Sequence, residues 1–147
     1  MQLLGESGDT AVYLDFAHAP SKVKATTAAL KEQYPDRKLT AVLELHTFSS
    51  LNAGFLPRYR DSMDPADTAM VYFNPQTLVH KKLPEIHPGQ IRSAFNKDGM
   101  KVYSDAGRLL EDLHSCPWKN GNLLIMTSGN FDGQDLEGLA SRILQNG

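Results

Sequence analysis

One cysteine, Cys116, stands in the whole chain, so neither a disulfide framework nor a cysteine-based zinc site can be built. A small, partly buried thiol in a reducing compartment is the expectation for it. No apolar run approaches the ~20 residues that a membrane-spanning helix needs. The opening segment "MQLLGESGDT" has neither a basic start nor an apolar signal core. A soluble, cytoplasmic protein without a membrane partner is expected. Excess positive charge is missing too. The net charge is −2, which argues against nucleic acid as a partner, because binding a phosphate backbone asks for a basic surface. Lys22, Lys24, Lys31, Arg37 and Lys38 make a basic cluster, but Glu32 and Asp36 dilute it into a solvated helix face.

Several reactive patterns are also lacking. His80, His87 and His114 have no metal-ligand spacing, so no metal site is expected among these residues. Ser49 and Ser50 lie outside any nucleophile-elbow pattern, which excludes a hydrolase triad of that type. "TSGNFDG" is a glycine-bearing turn between a strand and a helix, but it has neither the Lys-Ser/Thr of a P-loop nor three spaced glycines. "GESGDT" precedes a strand rather than following one. Neither segment is a nucleotide site by itself, and Gly129 and Gly133 are expected simply to permit the turn's backbone angles.

What is present is a repeated switch between strand-like runs and helical periodicity. The runs Ala11–Ala17, Leu39–Leu45, Thr68–Phe73, "MKVYS" and Asn122–Ser128 read as five strands. Val23, Thr27, Leu30 and Tyr34 fall on one helical face, and Pro35 ends that helix. Gly54 and Pro57 interrupt a partly helical stretch, and Asn74–Gly99 is the least regular region, with one short helix over Gln90–Phe95. Asp105 is placed to cap a helix carrying Leu109, Leu110 and Leu113. Leu136, Leu139, Ala140, Ile143 and Leu144 mark the last helix.

Strands alternating with helices imply an α/β domain over residues 1–147, with a Rossmann-like, open, mostly parallel sheet of five to six strands and helices on both faces. The unbroken apolar run "LLIM" agrees with burial on both sides. In such sheets ligands gather beyond the carboxyl ends of the strands. The residues following each strand are Asp15 and His18; then Glu44, His46, Thr47, Ser49 and Ser50; then Asn74; then Thr127, Ser128, Gly129 and Asn130. A strand running backwards would remove its group from this edge. Pro20 suits a first helical turn, and that turn favours an anion nearby. From spacing alone two readings stand for Asp15 and His18. One has the acid orienting backbone and the imidazole packing; the other has both meeting a ligand.

"DFAHAPSKVKATTAAL" resembles the first strand-to-helix segment of the C-terminal domain of the Mur ligases, ATP-dependent enzymes that build the peptide of the bacterial cell-wall precursor. Asp15, Phe16, Ala17, His18 and Pro20 match the family's acid–aromatic–small–His–x–Pro pattern. "LELHTFSSLNAGFL" and "LLIMTSGNFDG" are similar to later family segments in the same order. Within the family the motifs look closest to the murein peptide ligase branch, which joins L-alanyl-γ-D-glutamyl-meso-diaminopimelate to UDP-N-acetylmuramate. The UDP-N-acetylmuramate–L-alanine ligases are the next branch. A stand-alone α/β binding domain is the reading from a different class.

The resemblance implies a domain excised from a three-domain enzyme and inactive alone, with the N-terminal and central ATPase domains of the same chain as its partners. ATP and Mg2+ would be bound mainly outside it. In the implied reaction a carboxylate is activated as an acyl phosphate, and an amine then displaces the phosphate. Asp15 and His18 would face the nucleotide or intermediate. His46, Thr47, Ser49, Ser50 and Asn130 would face the incoming peptide or amino acid, and no residue of this domain alone would be catalytic. Two departures from the family stand out. Ala19 replaces a second histidine, and "HTFSS" lacks the arginine that often follows the second strand in relatives.

Overall fold

In the computed structural model, which describes residues 1–146, the chain alternates strands and helices almost throughout. The strands are β1 (Gln2–Ser7), β2 (Thr10–Asp15), β3 (Lys38–Leu45), β4 (Thr68–Phe73), β5 (Lys101–Tyr103) and β6 (Gly121–Met126). The α-helices are α1 (Pro20–Gln33), α2 (Pro75–His80), α3 (Pro88–Phe95), α4 (Ala106–Ser115) and α5 (Leu136–Asn146). Short 3-10 helices cover Leu56–Tyr59 and Phe131–Gly133. The sheet order is β1-β2-β6-β3-β4-β5, and the β1–β2 pair alone runs antiparallel. The open, mostly parallel α/β sheet expected from the sequence is therefore the fold.

Side-chain alternation along the central strands builds two cores. Leu39, Ala41, Leu43 and Leu45 of β3 face one way, with Val23 and Leu30 of α1 and Ile91 and Phe95 of α3. Val42 of the same strand faces the other way, with Leu109 and Leu113 of α4 and Leu139 and Ile143 of α5. Each fully buried leucine contributes about 1.5–3 kcal/mol, so the helices are held by the sheet rather than by their own propensity.

Two elements depart from the sequence reading. β1 is an added edge strand, and within "GESGDT" Gly8 and Asp9 form its hairpin turn to β2, with Gly8 at φ +58°. Its side chains are exposed or half-buried, so no alternation marks it. α2 is a single short helix that starts where the Asn74 side chain accepts from Gln76 N at 2.9 Å. Asp105 caps α4 as expected, accepting from Gly107 N (2.9 Å) and Arg108 N (3.3 Å). Cys116 is half-buried, and its thiol donates to the Asp112 carbonyl at 3.2 Å.

At the opposite edge from the loops described below, Asp67 joins three elements. Its Oδ2 accepts from Leu39 N (2.7 Å) and from Lys31 Nζ (2.8 Å). Partial burial pushes this carboxyl upward, but the two hydrogen bonds and the lysine charge outweigh it and hold it below the ordinary aspartate range. A depressed folded-state value stabilises above the unfolded value and is lost as pH falls through the folded one. The stability gap between the parent and Asp67→Ala should therefore be widest near neutral pH and shrink as pH falls below ~4, the ordinary aspartate value. Urea midpoints at neutral pH and near pH ~3 check this; a gap that is constant or grows on acidification would contradict it.

Candidate functional site at the carboxyl edge of the sheet

β2, β6, β3 and β4 are adjacent and parallel, so the segments that leave them emerge side by side along one rim. Asp15, His18, His46, Thr47, Ser49, Asn74, Thr127, Gly129 and Asn130 all lie in or at the ends of these segments. A recess of about 430 Å³ opens between the first and last of them, lined by Leu14, Asp15, Phe16, Thr127 and Gly129 among others.

The β2–α1 turn is held from both sides. Asp15 Oδ2 accepts from Ala17 N at 2.9 Å and from Thr26 Oγ1 at 3.4 Å. From behind, the Tyr59 hydroxyl donates to the His18 carbonyl at 2.5 Å. Tyr59 is itself buried and stacked on Phe95 at 5.0 Å, and burial pushes its hydroxyl up to about 12. His18 Nδ1 lies 2.9 Å from the Phe16 carbonyl, which can only accept, so Nδ1 carries a proton and Nε2 is left for another partner. The Phe16 ring meets the imidazole edge-on at 5.3 Å and is 70% exposed, an apolar group held out from the rim.

Glu44 sits at the centre. It is the last inward-facing residue of β3 on the α4–α5 side, 3% exposed, and its Oε1 accepts from Thr127 Oγ1 (2.5 Å) and from Phe131 N (3.1 Å). Thr127 Oγ1 in turn accepts from Gly129 N at 2.8 Å. A Cβ on Gly129 would lie 2.9 Å from Glu44 Oε1 and 3.0 Å from Cγ and Cδ2 of the His46 ring. Glycine is required here by close approach, because its φ is not left-handed. These contacts clamp the late loop onto the end of β3 with the His46 imidazole alongside.

After Asn130, three consecutive residues are left-handed: Phe131 (φ 50°), Asp132 (φ 58°) and Gly133 (φ 75°). For the two non-glycine residues this conformation is unfavourable by ~1–3 kcal/mol each, and it persists only when surroundings over-determine it. They do. The Phe131 ring is buried and stacks on Tyr72 at 5.6 Å. The Asp132 carboxylate accepts from the Tyr72 hydroxyl at 2.8 Å and from Asn74 Nδ2 at 2.8 and 2.9 Å. Asn130 Oδ1 accepts from Gly133 N at 3.3 Å. Burial, then the Asp132 hydrogen bond and charge, push the Tyr72 hydroxyl well above its ordinary range.

Two of the residues expected to face a peptide are engaged with each other. Thr47 Oγ1 donates to Ser50 Oγ at 2.9 Å and accepts from Ser50 N at 3.1 Å, while Ser50 Oγ reaches the Thr47 carbonyl at 3.0 Å. Ser50 is buried, so its hydroxyl closes a local turn rather than lining the rim. Ser49 and Asn130 are exposed and His46 and Thr47 half-buried, so these four stay at the edge. The threonine three residues before the serine is the sequence signal for such a turn. Glu44 is visible in the sequence only as an acid among the polar residues after the second strand; Tyr72 and Asp132 carry no such mark. Among the described residues no three His, Cys, Asp or Glu side chains gather as a metal site, and no helix is long and apolar enough to cross a membrane.

An open, mostly parallel sheet with helices on both faces is of the doubly wound type, in which ligands bind beyond the carboxyl ends of the strands. The family model described as "Mur ligase, glutamate ligase domain" matches residues 1–130, and the chain belongs to that family. It is 31% identical over 143 residues to the UDP-N-acetylmuramate–L-alanine ligase of Chlorobium phaeovibrioides, covering 90% of this chain and 29% of that protein. It is 35% identical over 79 residues to the enzyme of the same name from Lactococcus lactis, covering 52% of this chain and 18% of that one. The chain thus spans less than a third of the length of these relatives. Its fold is similar to that of one part of the murein peptide ligase of Psychrobacter arcticus, with a TM-score of 0.70 at 22% identity over 99% of this chain and 29% of that one.

Proposed function

We propose that this chain is the C-terminal domain, over residues 1–147, of a three-domain ATP-dependent ligase that forms an amide on UDP-N-acetylmuramate. The incoming amine is that of L-alanyl-γ-D-glutamyl-meso-diaminopimelate, as the name of the murein peptide ligases describes. The observation that carries this reading is the convergence of the β2, β3, β4 and β6 segments on one rim with the family motifs in them. A rim of this kind has polar groups fixed for a ligand and an exposed aromatic, Phe16, suited to meet a neighbouring surface.

ATP with magnesium, held mainly by the other domains, supplies the phosphoryl group that activates the muramate carboxylate. The rim fits an accessory role beside it. His18 has its Nδ1 fixed and Nε2 unassigned, and the Asp15 carboxylate fixes the turn that presents it. His46, Thr47 and Ser49 stand beside the late loop that carries Asn130, and these four face the amine-bearing substrate. Ser50 takes the supporting place described above. Closing this rim on the central domain would exclude water from an activated acyl group and orient the amine, both large contributions to such chemistry.

In the full-length enzyme, His18→Ala is expected to lower turnover at least ~10-fold, the range in which misplaced reacting groups act, with the unfolding midpoint of the domain unchanged. Steady-state kinetics with the tripeptide test this, and unchanged turnover would count against His18 at the closing edge. A second reading, the UDP-N-acetylmuramate–L-alanine ligase, is favoured by the curated relatives, which carry that name. Offering L-alanine and the tripeptide to the same preparation separates the two. A reading frame upstream without a G-x-G-K-S/T segment would remove both in favour of a stand-alone binding domain.

A further inference from the structure

A second recess lies beside the His18 turn, on the α1 side of the sheet, and none of the rim residues above lines it. It has a volume of about 550 Å³, within the ~300–1,000 Å³ of small-molecule sites. Pro20, Ser21 and Lys24 of α1 form one wall; Phe55, Arg58, Arg60 and Ser62, in and around the 3-10 turn, form the other. No acidic residue lines it among the described residues, although Asp61 adjoins it.

Three independent features of these walls point to an anion. The N-terminus of the 14-residue α1 opens here with Ala19 at its cap position, which offers no side-chain hydrogen bond to the first-turn N–H groups. Two guanidinium groups stand at the opening without a strong partner. Arg58 rests on the Phe55 ring, Cζ 5.3 Å from its centre, which holds it in place and leaves its N–H groups free. Arg60 lies 4.0 Å from Asp61 with both side chains well exposed, a contact of little strength. Finally, Ser62 is 2% exposed, and its hydroxyl has no hydrogen-bond partner. A buried hydroxyl left in this state is unfavourable, and a bound acceptor oxygen would correct it.

We infer that this recess is an oxyanion site, taking a carboxylate or a phosphoryl group through Arg58, Arg60 and Lys24, with the α1 N-terminus and the Ser62 hydroxyl completing the cradle. The planar fork of arginine suits the paired oxygens that both groups present. The inference goes beyond the ligase assignment and does not depend on it.

The test is an amide NMR titration of the 15N-labelled chain at constant ionic strength, with inorganic phosphate in one series and glutarate in another. Saturable shifts are expected at Ser21–Lys24 and Phe55–Ser62, lost in Arg58→Ala/Arg60→Ala and at least ~5-fold weaker in Ser62→Ala, the loss that one hydrogen bond implies. Saturation by phosphate alone assigns a phosphoryl ligand, by glutarate alone a carboxylate, and by both a general oxyanion site. Arg92→Ala removes an exposed arginine that does not line the recess and should titrate as the parent. Shifts that fail to saturate in both series overturn the site, as does binding that survives the double substitution or an equal weakening in Arg92→Ala. Because Arg58 and Arg60 are exposed, the variants keep their fold, which an unchanged spectrum away from the recess verifies. Ligation is not read in this experiment, so its outcome stands apart from that of the enzyme assay.

Discussion

Glu44→Ala is expected to lower the free energy of unfolding by about 2–5 kcal/mol, because two buried groups, the Thr127 hydroxyl and Phe131 N–H, lose their acceptor at ~1–3 kcal/mol each. An opposing effect exists, since removing a carboxylate from a site 3% exposed relieves the unfavourable burial of a polar group. The first effect wins because the orphaned Phe131 donor belongs to the backbone. Even a Glu44→Leu/Thr127→Val pair, which matches both side chains with apolar atoms, leaves that N–H unpaired. Glu44→Gln keeps an acceptor at the same place and should lose less than half as much. Urea unfolding of the three variants gives the ranking, and amide exchange at Phe131 gives the local effect. If Glu44→Ala unfolds at the parent's midpoint with Phe131 still protected, the carboxylate is not the clamp of the late loop.

That clamp explains which parts of the molecule the sequence discloses. Strand runs such as Thr68–Phe73 coincide with the observed β4 because burial on both faces leaves an unbroken apolar signal. Asp105 is legible because capping is a local interaction, complete within three residues. β1 is not legible, since an exposed edge strand needs no alternation. The rim was reachable as a set of positions, because strand order fixes which loops share an edge. Its internal contacts were not. Tyr72 and Asp132 are 60 positions apart, and Glu44 and Phe131 are 87, so no local pattern couples them. One trace existed: an acid within the otherwise apolar end of "LTAVLEL" requires a buried partner, and a serine or threonine near the end of a neighbouring strand is a natural supplier. Thr47 and Ser50 show the reverse case. Their types suggested ligand contacts, while their three-residue spacing already specified a turn.

The left-handed run Phe131–Gly133 connects this to function. Backbone strain in a loop is retained where a fixed shape is needed, and here two strands hold it, β3 through Glu44 and β4 through Tyr72 and Asn74. The late loop is thus referenced to the same strands that present His46 and Asn74. Any displacement of Glu44 is transmitted to both sides of the proposed substrate edge.

Gly129→Ala tests that transmission without removing a hydrogen-bonding group. The added carbon would meet Glu44 Oε1 at 2.9 Å and the His46 ring at 3.0 Å, closer than carbon normally packs, and overpacking of this kind destabilises by about 1–3 kcal/mol. The two neighbours differ in what they can yield. Glu44 is fixed by its bonds to Thr127 and Phe131, whereas His46 is half-buried at the rim and can turn outward. Gly129→Ala should therefore shift the His46 ring resonances strongly, and a Gly129→Ala/His46→Ala double variant should recover part of the lost stability. A non-additive term of at least ~0.5 kcal/mol is expected in the cycle, as for residues in direct contact. The share not recovered measures the push on Glu44. Strict additivity, with the His46 resonances unmoved by Gly129→Ala, would separate the late loop from the second strand's edge and dissolve the rim as a single unit.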